Sequence, residues 1–343
     1  MKKIINKVRY LIRCILRMDY KRLFREIDEM HEKCGKSKIR LFFSVVYCGL
    51  RFGSGHVDYI LYEFYNKTNA QRATYVTRAI NNGIVKKYND RQYTHILENK
   101  VEFNRYFSDY MGRKWFEVNG SDEKDFARFM EGLDTIMVKP LDASGGYGIQ
   151  KLKRADFEST DAMFAYIKEH NFGIAEEFIV QVPEMNAITP HSVNTYRICT
   201  ILVNGEAHIL YYYIRMGNGK NVVDNLHQGG ITCPVDIETG VTTSKGYACY
   251  GGYYTFDKHP ETGFDLVGFK VPLFEECGEL AKTVAKLIPQ VGYVGWDIAV
   301  TEKGPVLIEG NPFPGHDLTQ LPPHVGEDGC GILPIYRKYI PGL

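Results

Sequence analysis

Apolar residues recur at helical spacing through the first part of the chain, up to about residue 80, and give way from residue 133 to short apolar runs cut by Gly and Pro. Ile4, Ile5, Val8, Leu11, Ile12, Ile15 and Leu16 share one face of a predicted helix over residues 1–18. The run GSGHVDYILYEFY starts a further helical stretch after a glycine break, and RATYVTRAINNGIVKKYN predicts helix, turn and helix. TYRICTILVNGEAHILYYYIR predicts a hairpin, because Asn204-Gly205 supplies the positive φ angles of a two-residue type I′ turn. LFEECGELAKTVAKLIP follows as an amphipathic helix stopped by Pro289, and GYVGWDIAVTEKGPVLIEGN predicts a second hairpin. No repeat or low-complexity tract interrupts this order. The pattern is a helical extension followed by an α+β core with hairpin-paired strands.

Composition narrows the function classes. A chain of 343 residues has room for two or three domains and a sizeable core. A formal net charge of +1 favours neither a nucleic-acid binder nor an acidic tail, and 24 tyrosines suit a folded protein. The eight cysteines, at 14, 34, 48, 199, 233, 249, 277 and 330, make no CxxC pair and no zinc-like spacing. They read as reduced, mostly buried residues of a cytosolic chain. Nothing approaches the ~18 uninterrupted apolar residues of a spanning helix, and no signal-peptide core is visible, so the expectation is a soluble, cytoplasmic protein. Residues 1–18 are the local exception. They carry Lys2, Lys3, Lys7, Arg9, Arg13 and Arg17 and no acid. Their apolar face either packs on the rest of the protein or rests on an anionic membrane at its inner surface.

Three constellations carry chemistry. In the second hairpin, the expected three-residue loop Glu302-Lys303-Gly304 places Asp297 opposite Glu309, with Asn311 on the same face. Two carboxylates and a carboxamide oxygen converging in this way suit a hard divalent ion, Mg²⁺ above all and Mn²⁺ as the alternative. The plainer reading is a set of hydrogen-bonded polar residues at strand ends.

In VKPLDASGGYGIQKL, Lys139 ends an apolar strand and the small-residue run with Ser144, Gly145, Gly146 and Gly148 follows. Glycine-rich backbone lets N–H groups approach an anion closely, and the lysine adds a fixed charge for phosphates. An ordinary hairpin tip is the plainer alternative. The stretch is not a Walker loop, since no GxxxxGK[ST] occurs, and no HRD or DFG motif follows for a protein kinase.

On and after the first hairpin, Arg197 and Arg215 could clamp a carboxylate or a phosphorylated intermediate. An unbulged two-residue hairpin puts these arginines on opposite faces, which would leave one of them structural. Asn225, Gly229 and Gly230 belong to a second polar, glycine-bearing loop.

The order of a lysine strand, a glycine loop, the segment IAEEFIV and then Asp…Glu-x-Asn resembles the ATP-grasp superfamily over roughly residues 95 to 320. The resemblance implies two α+β subdomains clasping ATP. Within IAEEFIV, Glu176, Glu177, Phe178 and Ile179 would form the adenine hinge, and Glu184 would meet the ribose. LENKVEFNRYFSDYMGRKW resembles the segment that gives the family's first nucleotide lysine, here Lys100. The R…GEAHILYYYIR…NLHQGG run is similar to the ribosomal-protein glutamate ligase and glutathione synthetase branch, where such residues hold phosphates and the acyl group. The NTxR strand and the WDIAV…GPVLIEGN finish look most like the sugar-transfer-associated ATP-grasp group, linked to surface-polysaccharide biosynthesis. One departure stands out. The D-alanine ligase branch carries an arginine two residues before the first metal aspartate, and here that residue is Gly295. The cationic role passes to Arg197 or Arg215.

On this resemblance the chain divides into a basic helical extension (1–66), a region preceding the ATP-grasp core (67–118), a small lobe (119–183) and a C-terminal lobe (184–343). Lys139 and the Gly145–Gly148 loop would form a lid over the β- and γ-phosphates. The activity implied is an ATP- and Mg²⁺-dependent carboxylate–amine ligase acting through an acyl-phosphate on small-molecule substrates, an amino acid and a sugar-derived acceptor among the candidates. A kinase-like phosphotransferase and a non-catalytic nucleotide-binding scaffold of a glycan-assembly complex are the alternatives.

Overall fold

A computed structural model describes residues 19–141, 147–219, 229–249 and 254–343. The basic segment 1–18, the loop residues Ser144, Gly145 and Gly146, and Asn225 lie outside the described residues. The chain forms two compact units, Met1–Ile84 with His316–Leu343, and Val85–Gly315. Among the described residues no helix is long and apolar enough to cross a membrane.

In the first unit, α1 (Tyr20–Cys34) starts where the Asp19 carboxylate accepts from the Arg22 N–H at 3.0 Å, and it stops at Gly35 in the left-handed region. Helix α2 (Lys38–Phe52) is capped by Ser37 and ends at Gly53, also left-handed. The two helices run antiparallel. Lys38 meets Asp28 at 2.7 Å, and one turn along the Phe42 ring stacks on Phe24 at 6.4 Å. Their inner faces, Leu23, Ile27 and Met30 with Leu41, Val45 and Cys48, join Tyr59, Tyr62, Phe64 and Tyr75 in one core. The helix expected after the glycine break is short: α3 (His56–Leu61) is followed by Glu63 at φ 50 and a single 3₁₀ turn. After the one-turn α4 (Asn69–Arg72), the buried Gln320 amide accepts from the Val76 N–H at 2.8 Å and donates to the Val76 carbonyl at 3.1 Å. This clasp ties His316–Leu343 to the helices of the first unit.

Helix α5 (Arg78–Tyr88) carries the chain into the second unit, where α6 (His95–Glu98) and α7 (Lys100–Tyr106) precede two antiparallel sheets. The smaller sheet has the order β1 (Trp115–Glu117), β4 (Ile174–Glu177), β2 (Thr135–Lys139), β3 (Gln150–Lys153). Period-2 alternation sends Ile136 and Val138 into a core with Phe126 of α8 (Glu123–Met130) and Phe164 of α9 (Thr160–Glu169). Met137 and Lys139 therefore point to the other face, together with Glu176, which pairs with Met137.

The larger sheet has the order β11 (Gly304–Asn311), β10 (Tyr293–Thr301), β5 (Thr195–Val203), β6 (Glu206–Met216), β7 (Ile231–Val235), β8 (Gly246–Ala248), β9 (Tyr254–Phe256). Between the sheets in sequence lies α10 (Pro183–Ile188). Against the larger sheet, α11 (Phe274–Leu287) lays Cys277, Ala281, Val284 and Ala285 into the core that holds Ile198, Tyr212 and Trp296. Near the C-terminus, α12 (Leu333–Tyr339) buries Leu333 and Tyr336.

Both hairpins depart from the expected register, and both departures matter. Asn204 and Gly205 do have positive φ (53° and 82°), as a type I′ turn requires. Farther along, Thr200 pairs with Ile209 but Cys199 pairs with Tyr211, so Leu210 is a bulge. Arg197 then faces Tyr213 and Thr195 faces Arg215, which puts both arginines on one face rather than on opposite faces. In the second hairpin the loop is two residues, not three. Thr301 pairs with Gly304, and its hydroxyl donates to the Gly304 carbonyl at 2.9 Å and accepts from the Lys303 N–H at 3.2 Å, closing the turn. Ile308 is then bulged out, and that extra residue returns Asp297 to its place opposite Glu309.

Candidate active site

On the larger sheet, Asp297 is 2% exposed and is gripped from two neighbouring elements. Arg197, directly across on β5, forks onto it, with Nε on Oδ1 and Nη2 on Oδ2 at 2.8 Å. Arg215, from β6, donates Nη1 to Oδ2. Burial alone would push the Asp297 carboxyl up; the two guanidinium charges outweigh it and hold the group well below the usual carboxylate range. Glu309 faces Asp297 from β11, and its Oε1 lies 3.8 Å from Arg197 Nη2. Desolvation and the Asp297 charge push the Glu309 carboxyl up to about 7. Its side chain is 57% exposed, so the neighbouring carboxylate is the cause the geometry supports best.

Asn311, on the same face as Glu309, pairs with Gly295 and accepts the Phe313 N–H on Oδ1 at 2.8 Å. Two carboxylates, one raised by the other and flanked by the Arg197 and Arg215 guanidiniums, stand beside a carboxamide oxygen as an all-oxygen donor set. That chemistry fits a magnesium ion, which takes one or two carboxylates and completes its shell with water and phosphate oxygens. Among the described residues no group of three His, Cys, Asp or Glu side chains comes together for a metal.

On the smaller sheet, Lys139 Nζ donates to Glu176 Oε2 at 2.6 Å. Glu176 is itself buried and accepts from Asn104 Nδ2 at 2.9 Å and from Arg113 Nε and Nη2 at 3.2 Å each. The Arg113 and Lys139 charges outweigh burial and hold its carboxyl well below the usual range. Arg113 also donates Nη1 to the Leu307 carbonyl at 2.7 Å, linking β4 to β11 across the two sheets. Asn104 and Arg113 lie within LENKVEFNRYFSDYMGRKW, where the resemblance singles out only Lys100. Only the need of a buried carboxylate for several donors could have pointed to them.

Lys100 donates Nζ to the Leu141 carbonyl at 3.1 Å, at the entrance to the glycine-rich loop. Gly148 holds φ 72 against Pro140, where a Cβ would lie 3.0 Å from Cγ. Glu177 accepts the Lys114 N–H at 2.9 Å, and the Phe178 ring lies under Lys151 Nζ at 3.7 Å from its centroid. Ile179 is half-buried, and Glu184 is exposed in the first turn of α10. Gly229 and Gly230 lead into β7 just before the Met216–Ile231 pair, one step from Arg215. The structure thus gathers Arg197, Arg215, Asp297 and Glu309 in one cluster and Lys139 with Glu176 in another.

Two antiparallel sheets of one compact unit, one bearing a lysine fixed on a buried glutamate and the other a carboxylate fixed by two arginines, form an ATP-grasp architecture. The sequence matches the sugar-transfer associated ATP-grasp family over residues 79–327, and the chain belongs to that family. No curated protein matches it. Among solved structures it is similar to the ATP-grasp ligase PsnB complexed with a phosphomimetic precursor variant, Mg and ADP (12% identity, 66% of this chain, 54% of that one, TM-score 0.40). It is also similar to the D-alanine-D-alanine ligases from Coxiella burnetii (12%, 67% and 52%, 0.40) and Helicobacter pylori (16%, 73% and 63%, 0.43). The chain spans about half the length of the first structures it matches.

Proposed function

We propose that the chain is an ATP- and Mg²⁺-dependent carboxylate–amine ligase that works through an acyl-phosphate. The observation that carries this reading is the Asp297 carboxylate buried between Arg197 and Arg215 with Glu309 open beside it. Family membership supports ATP as the nucleotide. Asp297, Glu309 and Asn311 would hold Mg²⁺, which when bound supplies charge neutralisation for a triphosphate.

The chain's own residues do the positioning. Glu176 keeps Lys139 in one place, so its charge meets the phosphates without an ordering cost at the moment of reaction. Lys100, Gly148 and the loop with Ser144, Gly145 and Gly146 complete the phosphate cradle, the backbone of Glu177 to Ile179 takes the adenine, and Glu184 takes the ribose. Arg197 and Arg215 share the face that carries Asp297, where their charge would stabilise the transferred group together with Asn225, Gly229 and Gly230. A substrate carboxylate attacks the γ-phosphorus and ADP leaves. An amine then attacks the acyl carbon, loses a proton and expels phosphate, forming an amide. The sugar-derived acceptor in surface-polysaccharide assembly rests on the family's association with sugar transfer. Residues 1–18, with six cations and no acid, add a peripheral contact with an anionic membrane to this reading.

The test is ADP release measured with ATP, Mg²⁺ and panels of acids and amines, with products weighed by mass spectrometry. A ligase releases ADP only when both substrates are present and yields an amide mass. A phosphorylated acceptor without amide makes the chain a phosphotransferase. Nucleotide binding with no ADP release from any pair makes it a binding scaffold, and either result overturns the proposal.

A further inference from the structure

Helix α2 is apolar on two opposite faces. Its inner face is Leu41, Val45 and Cys48 in the core. Its outer face carries Ile39, Phe43, Val46, Tyr47 and Leu50, spaced i, i+4, i+7, i+8 and i+11, within one arc of the helix. These side chains are exposed: Ile39 by 73%, Phe43 by 65% and Leu50 by 46%. The stripe continues onto α1, where Phe24 is 54% exposed and stacks on Phe42, whose ring meets Phe43 edge-on at 5.6 Å. A surface helix of a soluble protein keeps its outer face polar, so a stripe of this kind marks a contact surface.

The charges say which contact. Helix α2 contains Lys38, Arg40 and Arg51 and no acid, and Arg40 and Arg51 lie on one flank of the exposed arc. Of the acids of neighbouring α1, Glu26 is buried and paired with Arg22, and Asp28, Glu29 and Glu32 sit toward the Lys38 end, where Asp28 already pairs with Lys38. The antiparallel register set by Lys38–Asp28 and Phe42–Phe24 brings Tyr20 level with Val46. Helix α1 therefore begins at the end of the stripe that carries Leu50 and Arg51. The sequence before it, residues 1–18, holds six cations and no acid.

We propose that the outer face of α2, with Phe24 of α1, docks on an anionic lipid surface, its apolar side chains entering the headgroup boundary and Arg40 and Arg51 meeting lipid phosphates. Coverage by residues 1–18 or by a second copy of the chain would bring like charges together on this face, whereas anionic lipid complements both basic elements.

Vesicle co-sedimentation of the full chain tests this, using phosphatidylcholine alone or mixed with phosphatidylglycerol at about three to one. The expected result is sedimentation with the phosphatidylglycerol vesicles only, weakened by salt. Phe43→Glu combined with Leu50→Glu should weaken binding about tenfold or more with an unchanged Tm, and Arg40→Glu with Arg51→Glu should also weaken it. The proposal is overturned if the wild type ignores phosphatidylglycerol vesicles, or if the Phe43/Leu50 variant binds as well as the wild type through residues 1–18 alone. It is equally overturned if that variant loses thermal stability, because another part of the chain then covers the stripe. A wild-type dimer that the variant converts to monomer would assign the face to a second copy instead.

Discussion

Gly295 makes room for Arg197. A Cβ at Gly295 would stand 3.0 Å from Arg197 Cδ and 3.5 Å from its Nη1, so the guanidinium lies over the space where a side chain at 295 would begin. Arg197, from the neighbouring strand β5, occupies that space. Gly295→Ala should push Arg197 off Asp297 by a few tenths of an ångström. We expect a modest loss of stability, about 1 kcal/mol, and a larger loss of ADP production, about tenfold or more. Urea unfolding and steady-state kinetics on the same variant separate the two, and unchanged turnover would mean that Arg197 can shift without consequence.

Asp297 and Glu309 face each other, yet their removal should have different costs. Asp297→Ala leaves two buried guanidiniums without their acceptor, and losing one side of such a pair costs about 3–5 kcal/mol. Glu309 is largely exposed, so Glu309→Gln should change stability by no more than about 0.5 kcal/mol. Both variants should lose ADP release. Equal urea midpoints for the two variants would contradict the burial asymmetry, and near-normal turnover by Glu309→Gln would remove it from the metal set.

What could be read in advance here was local. Asn204-Gly205 announces its turn, the 3.6-residue spacing of Cys277, Ala281 and Val284 announces α11, and the Asp297–Glu309 pairing follows from strand periodicity. The bulges at Leu210 and Ile308 were not legible, because no residue type compels a bulge; it arises where the packing of one face must stay in phase with its neighbour. The Ile308 bulge compensates for a turn one residue shorter than expected, so the correct pairing was reached through an incorrect loop. The resemblance puts Glu176 in the adenine hinge, a backbone role that does not specify its side chain, and that side chain anchors Lys139. That role depends on Asn104 and Arg113, which come from α7 and from the chain before β1. Such long-range donors leave no periodic trace.

Thiol reactivity checks the burial pattern independently of any substrate. Cys48, Cys199, Cys233 and Cys277 are buried, while Cys34, Cys249 and Cys330 are partly exposed. Burial pushes the Cys199 and Cys233 thiols up to about 12, so little thiolate exists near neutral pH. Native protein treated briefly with iodoacetamide should carry label at Cys34, Cys249 and Cys330, read by peptide mass spectrometry, and almost none at the four buried sites until denaturant is added. Fast labelling of Cys199 in native protein would mean that β5 opens readily.

Acid should unfasten the Lys139 anchor. The folded Glu176 carboxyl is held below its unfolded value of about 4.3, so the folded state binds that proton less tightly than the unfolded chain does. Its contribution to stability is therefore fully present above that unfolded value and is lost progressively as pH falls toward the folded one. Asp297, depressed by Arg197 and Arg215, has the same sign and adds to the same limb. Wild-type stability measured by urea unfolding should fall steeply below about pH 4.5, and Glu176→Gln should start lower but fall less over that interval. The variant should also weaken ATP binding, because Arg113 and Lys139 would then share a neutral amide and Lys139 would lose its fixed position. Identical acid limbs in wild type and variant would mean that Glu176 binds its proton equally well in the folded and unfolded chain, and the anchor for Lys139 would have to be sought elsewhere.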